Sequence, residues 1–330
     1  YIGGDVLYAL TQSFHSAKIT ALVRSESKAS LITSRYPSVT PVIGDLDSAA
    51  SITKEVAEAD VVLITDILRQ DLASSNHLPS ATAIAKGLAE TKRPSPGFLL
   101  SGPEIANDSY GQARAQNHND FHGISEIRDI ISSSPKRVVD HLLLGLSSKQ
   151  PNVRTAIIYG PLIYGLARGP VNQRSIQLPD LAKATIQRGK GVQVGKGLSC
   201  WSNIHISDLS GLIVKLVKEA EGRGSGELWN ENGIYFTENG AMPFGEISRK
   251  VASFAFQKGF IKSTDVEEID AGTADKLTAH GAVLWGTNAQ YTASRARELL
   301  GWKPAGPSLE EEIPRAVQEE ASSLGSQSKI

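Results

Sequence analysis

Apolar and polar positions follow two rhythms along the first half of the chain. Val6, Leu7, Leu10 and Phe14 recur at helical spacing after Asp5, a residue suited to a helix N-terminus. Residues 18–23 form a short β-branched and apolar run, which predicts a strand. The pattern then predicts a helix over 25–36, a strand over Val39–Ile43, and a helix reaching Glu58 with Asp47 as its cap. A buried strand over 59–65, a helix over 80–90 and a strand over 98–101 follow. Strands alternating with helices of about 10–15 residues imply βαβ units and a parallel sheet. Strands that are apolar throughout imply a sheet covered on both faces.

Two stretches break the rhythm. Residues 66–76 form a polar connection where a compact domain usually needs only about 2–6 residues. Residues 107–122 are rich in Asn, Gln, Asp and Gly and read as a long exposed excursion. A helix over 136–148 and a strand over 153–158 resume the alternation. Beyond Tyr159, helices near 175–187, 208–221, 244–258 and 291–300 stand among longer loops and isolated strands. The chain therefore divides near residue 160 into parts 1–160 and 161–330, the second expected to cap the first. The tail after Ala321 is expected to fray.

Composition narrows the classes of function. Of the 330 residues, 40% are hydrophobic and 21% charged, and the formal net charge is −1, so no electrostatic case exists for nucleic acid or an anionic membrane. No apolar run approaches the ~20 residues of a membrane span. Cys200 is the single cysteine, so a reducing, cytoplasmic setting is the expectation. No signal-peptide pattern follows Tyr1. No metal-ligand spacing and no nucleophile–histidine arrangement points to hydrolysis.

The candidate chemistry begins at the first residues. Tyr1-Ile2-Gly3-Gly4-Asp5-Val6 leads straight into a helix, whose N–H groups and dipole suit a phosphate. The segment resembles the end of the Gly-x-x-Gly-[Tyr/Phe]-[Ile/Leu]-Gly turn of the extended short-chain dehydrogenase/reductases, the NAD-dependent epimerase/dehydratase-like superfamily. Tyr1, Ile2 and Gly3 match its last three positions, so the first strand and the leading glycines are expected upstream of Tyr1. Further segments agree. The run 153–165, which ends Tyr159-Gly160-Pro161-Leu162-Ile163-Tyr164-Gly165, is similar to the strand and turn bordering the nicotinamide. Trp201-Ser202-Asn203-Ile204-His205-Ile206-Ser207-Asp208-Leu209 resembles the His-Val-x-Asp-Leu segment, and Leu299-Leu300-Gly301-Trp302-Lys303-Pro304 the closing Leu-Gly-Trp-x-Pro. The resemblance implies an α/β fold: a Rossmann-type, doubly wound parallel sheet over 1–160 and a smaller C-terminal α/β substrate-capping part over 161–330.

It also implies a cofactor. Where NAD-preferring relatives carry an acidic residue after the second strand, this chain reads Leu22-Val23-Arg24-Ser25. Arg24 and Ser25 suit a 2′-phosphate, so NADP is expected ahead of NAD. Gly44-Asp45-Leu46 resembles the segment whose Asp receives the adenine amino group, although Asp45 is equally a turn residue. Tyr159 and Pro161 would border the nicotinamide.

The same resemblance implies a catalytic Ser/Thr, Tyr and Lys. Ser101 matches the Ser/Thr, and Lys136, expected to open a helix, matches the Lys that holds the ribose. Four residues before Lys136 stands Ser132, not Tyr; Tyr110 with Arg114 is the one Tyr-x-x-x-basic match nearby. Three accounts stay open. Tyr110 or Tyr164 swings in as the acid; Ser132 or a water relay serves; or dehydrogenation is lost, as in the NmrA-like branch, whose members sense NADP without chemistry.

For substrate, strand alternation places Trp201, Asn203 and His205 on one face as a cleft wall, or equally on a solvent-facing strand. Asp208 reads as a helix cap. The loop 168–174 could supply anion contacts, with Asn172 and Arg174 as substrate residues. Two functions fit: an NADP-dependent oxidoreductase or epimerase acting on a small carbonyl or sugar-like metabolite, or a non-catalytic NADP-sensing regulator with a protein partner.

Overall fold

The structure is a computed structural model that describes residues 1–64, 77–90, 97–101, 110–115, 117–222 and 226–327. From the amino end the chain runs α1 (Ile2–Ser13), β1 (Ile19–Val23), α2 (Glu26–Arg35), β2 (Val39–Ile43), α3 (Ala49–Ala57), β3 (Val61–Leu63), α4 (Leu78–Glu90) and β4 (Gly97–Ser101). It continues through β5 (His118–Asn119), α5 (Ile124–Ser133), α6 (Val138–Lys149), β6 (Val153–Tyr159) and β7 (Leu162–Tyr164). Next come α7 (Gln177–Arg188), β8 (Gly191–Val194), β9 (Cys200–His205), α8 (Ile206–Glu221), β10 (Ile234–Phe236), β11 (Ala241–Pro243) and α9 (Phe244–Gln257). It closes with β12 (Val266–Ile269), α10 (Ala271–Leu277), α11 (Gly281–Gly286), β13 (Tyr291–Thr292), α12 (Arg295–Leu300) and α13 (Leu309–Gln327).

The expected parallel strands are present. β3, β4, β6 and β10 form one sheet in the order β10-β6-β4-β3, with Leu100 paired to Ala156 and Tyr159 to Phe236. β1 and β2 form a second ladder, Val23 opposite Ile43, and among the described residues no ladder joins β1 to β3. Helix α1 bridges the two. Ile2 and Val6 enter the main core, while Leu7 packs with Ile32, Tyr36 and Val39 in a smaller cluster. β6 is buried along nearly its whole length, as its continuous apolar run implies. β10, from the second half of the sequence, completes this sheet at β6. Its Phe236 stacks on Tyr291 at 4.3 Å and so ties the sheet to β13.

Local signals account for several boundaries. Ser25 caps α2 by accepting from the Lys28 N–H at 3.4 Å, and Asp270 caps α10 through the Thr273 N–H at 2.6 Å. α7 stops at Gly189, whose φ of 73° is the left-handed conformation that glycine adopts without steric cost.

The structure corrects other expectations. Asp47 does not cap α3. Ser48 occupies the N-cap, and Asp47 instead meets His77 Nε2 at 3.1 Å. Residues 291–292 are strand rather than helix, because β13 pairs with β5. α12 then begins at Arg295, where the Ser294 and Arg295 N–H groups donate to Asp120. The excursion 107–122 is largely exposed where it is described, as expected, but Gly111, His118 and Asp120 are buried and pin it to the rest of the molecule. The tail expected to fray after Ala321 continues as helix to Gln327. Residues 65–76 lie outside the described residues. No helix among the described residues is long and apolar enough to cross a membrane.

Candidate functional site

In a parallel α/β sheet the ligand-binding edge is the one at the strands' carboxyl ends. Helix α1 is about as long as β1, and the short link 14–18 returns the chain antiparallel to the helix, so the N-terminus of α1 lies at that edge. The first intrahelical bond is from Asp5 N–H to the Tyr1 carbonyl at 3.2 Å, and Tyr1 provides no side-chain cap. The N–H groups of Ile2, Gly3 and Gly4 precede it, as in any helix start. At the end of β1, Arg24 is exposed and Ser25 carries the cap of α2. Beside them, the Asp45 carboxylate accepts from the Asp47 N–H at 3.1 Å and the Ser48 hydroxyl at 2.9 Å. The Ser48 hydroxyl, aided by neighbouring N–H groups, holds Asp45 below the usual carboxylate range. Asp45 is thus a turn residue, with half-buried Leu46 next to it. A helix N-terminus without a side-chain cap and an exposed guanidinium at one sheet edge form a donor set that fits the phosphates of a dinucleotide.

Behind that edge lies a cluster whose partners the sequence did not reveal. Asp5, fully buried, accepts from Arg168 N at 2.8 Å, Arg168 Nε at 2.9 Å, Arg168 Nη2 at 2.6 Å and the Ser210 hydroxyl at 2.7 Å. Burial alone would raise its pKa, but the Arg168 and Ser210 bonds together pull it below the usual range. The Arg168 guanidinium also lies 4.5 Å from the Tyr8 ring centroid. The Tyr1 hydroxyl donates to the Gly165 carbonyl at 2.9 Å.

The catalytic candidates are not assembled as the family pattern implies. Ser101 ends β4 opposite Ile157, and its side chain lies outside the described residues. Lys136 does not open a helix. It is exposed in the turn between α5 and α6, where Arg137 is the N-cap, so Ser132 and Lys136 belong to different segments and not to one helical turn. Tyr164 is fully buried and donates to the Pro307 carbonyl at 2.8 Å, so it does not swing toward the edge. Tyr110 is 42% exposed. Its neighbour Gly111, at φ 68°, is wedged against Val194 and Gly195, and donates to the Gly286 carbonyl at 2.7 Å. Tyr159 and Pro161 are buried, and the Tyr159 carbonyl accepts from the Thr237 N–H at 3.1 Å and the Thr237 hydroxyl at 3.0 Å. The Tyr159 hydroxyl donates to buried Asp140 at 3.0 Å, and Arg137 reaches the same oxygen at 3.2 Å. Burial pushes Asp140 up despite the Arg137 charge.

The substrate candidates are likewise engaged elsewhere. Trp201 is fully buried, its indole N–H donating to the Thr287 carbonyl at 2.8 Å, because β9 runs between β7 and β11 and Ala289 adds a bridge. Asn203 is buried beside it. His205 caps α8: its Nδ1 accepts from the Ser207 N–H at 3.3 Å and shares a 2.7 Å hydrogen bond with the Ser207 hydroxyl. Burial lowers the His205 pKa. Trp201, Asn203 and His205 therefore form interior structure rather than a cleft wall. Asp208 is not the cap. Its carboxylate accepts from the Ala305 and Gly306 N–H groups at 2.9 and 3.0 Å. Arg174 bridges Asp180 and Glu320 at 2.7 Å each, while exposed Asn172 accepts from the Arg174 N–H at 3.1 Å. Among the described residues no group of three or more His, Cys, Asp or Glu side chains could hold a metal.

Comparison with known proteins accords with this geometry. No family model matches the chain. The oxidase ucsJ of an Acremonium species is 36% identical over 341 residues, spanning 98% of this chain and 96% of its own. Among solved structures, the dTDP-glucose 4,6-dehydratase of Bacillus anthracis in complex with NAD superposes with a TM-score of 0.64 at 14% identity, covering 96% of this chain and 92% of its own. The UDP-glucose 4-epimerase of Thermotoga maritima, with UDP-glucose, gives a TM-score of 0.63 at 11% identity, covering 98% and 96%. The chain belongs to the family of the oxidase ucsJ and has the fold of the extended short-chain dehydrogenase/reductases of the epimerase/dehydratase type.

Proposed function

We propose that this protein is an NADP-binding oxidoreductase acting on a small carbonyl or sugar-like metabolite, with residues 1–160 as the cofactor part and 161–330 as the substrate part. The observation that carries the reading is similarity over 98% of the chain to an oxidase, on a fold shared with a solved dehydratase in complex with NAD. When bound, a nicotinamide dinucleotide supplies hydride chemistry. The chain's own part is to receive the phosphates at the α1 N-terminus around Gly3, and to place Arg24 and Ser25 at the adenosine end. Asp45 and Leu46 line the adenine side, the backbone of Tyr159 and Pro161 borders the nicotinamide, and the Ser101 hydroxyl polarises a substrate carbonyl. Arg24, with no carboxylate at its position, supports NADP over NAD.

The break between α5 and α6, which separates Ser132 from Lys136, favours a second reading. In it the site binds NADP without turnover, and the output is a contact with a protein partner. One experiment separates the two: calorimetric titration of the protein with NADPH, followed by NADPH oxidation over a panel of aldehydes, ketones and nucleotide sugars. Tight binding with turnover supports the oxidoreductase. Tight binding without turnover on any substrate supports the regulator, and no binding sinks both.

A further inference from the structure

The loop 165–174 meets the first turn of α1 at three successive points. The Tyr1 hydroxyl binds the Gly165 carbonyl at 2.9 Å. The Gly169 backbone lies against that of Gly4. Between them the Asp5 carboxylate takes three hydrogen bonds from Arg168, one from its backbone and two from the guanidinium. The loop is also closed on itself, through Ala167 N–H to the Gln173 carbonyl at 3.0 Å and Gln173 Nε2 to the Gly169 carbonyl at 3.0 Å. Its far end is held by Arg174 on α7 and α13. One hydrogen-bonded strap thus runs from the first turn of α1 to the second half of the molecule.

We infer that Asp5 and Arg168 act as positioning residues that couple the phosphate-facing end of α1 to the loop 165–174, so that cofactor bound at one orders the other. The inference rests on the dinucleotide reading above. Two physical points carry it. First, a carboxylate buried in the first turn would work against an anion at the helix end, and Arg168 cancels its charge on the spot. Second, the guanidinium fork fixes orientation as well as charge, which a point-charge ammonium cannot do. Ser210, from α8, completes the carboxylate's set of donors and anchors the clamp to the core.

The test compares wild type with Arg168→Met, Arg168→Lys and the double variant Asp5→Asn/Arg168→Met. Arg168→Met alone leaves a buried unpaired carboxylate and is prone to misfold. The double variant removes the charge and the fork together, while the carbonyl of the introduced side-chain amide still accepts the backbone N–H at 168. Two readouts are taken: NADPH affinity by calorimetry, and hydrogen exchange of the amides at 167 and 168 with and without NADPH. In the wild type NADPH is expected to slow exchange at both amides, because linkage is reciprocal. In the double variant affinity is expected to fall about tenfold to a hundredfold, and the loop amides no longer respond to NADPH. Arg168→Lys falls between.

A double variant with wild-type affinity and a wild-type loop response overturns the inference. If the wild type does not bind NADPH, the dinucleotide reading fails and the coupling fails with it. Faster loop exchange in the double variant without ligand then still shows a purely structural clamp.

Discussion

Gly169 approaches Gly4 so closely that a β-carbon on Gly169 would stand 2.5 Å from the Gly4 Cα and 2.6 Å from its carbonyl carbon. Both obstacles are backbone and cannot rotate aside. The relationship is asymmetric, since a β-carbon on Gly4 would meet only the Gly169 Cα at 3.4 Å, an ordinary contact. Gly169→Ala should therefore cost about 1–3 kcal/mol. Gly4→Ala, inside a helix, should be neutral or gain about 0.5–1 kcal/mol. Thermal unfolding of the two variants checks this, and equal shifts in midpoint would refute the geometry.

Arg24→Asp should remove most of the preference for NADP. One charge-assisted bond to a 2′-phosphate corresponds to roughly tenfold to a hundredfold in affinity. Calorimetry with NADP and NAD should show the wild type favouring the first and the variant losing that margin. Equal wild-type affinities would remove Arg24 from the account.

Turnover on simple carbonyls should be slow, because no tyrosine stands four residues before Lys136 and a placed general acid is worth about 10²–10⁴-fold. Ser101→Ala should reduce what remains. Tyr110→Phe should leave it unchanged, since the ring is held on the second half beside Gly286. A collapse of activity in Tyr110→Phe would instead identify it as the proton donor.

Asp120 should make stability fall as pH rises through weak acid. Burial outweighs the N–H donors of Arg295, Phe236 and Ser294 and pushes its pKa from 3.8 to about 6. Between those values the folded state holds a proton that the unfolded chain has released. Unfolding free energy therefore declines with rising pH across that window and is flat above it. Asp120→Asn should abolish the slope while adding a constant penalty, because an amide cannot accept from every donor here. Urea melts over this pH range decide it, and a variant that keeps the wild-type slope would exclude Asp120 as its source.

The sequence carried the alternating elements of the first half, because their apolar periodicity is local. Helix α5 was not read from the sequence, although Ile124, Ile127 and Ile131 have helical spacing and the last two are fully buried. The separation of Ser132 from Lys136 was signalled by Pro135, which disfavours helix at Ser134 and so ends α5 there. Other features depend on distant partners. Strand alternation puts Trp201, Asn203 and His205 on one face but does not say whether that face is covered; here Trp201 is fully buried with its indole N–H on the Thr287 carbonyl, and the His205 ring lies against Gly306. The start of α12 is set by Asp120, far away in the chain. Asp5 was visible as a helix-start acid, while its partner Arg168 became so only in three dimensions.

The position of β10 bears on any attempt to rebuild this protein by exchange of parts. Its three residues are fully buried and complete the sheet of the first half at β6, while Gly111 of the first half is wedged against Val194 and Gly195 of the second. A chimera joined at residue 160 would inherit a sheet edge from one parent and its closing strand from the other. Such hybrids should fold only when the donor brings a matching strand and a glycine at each wedge.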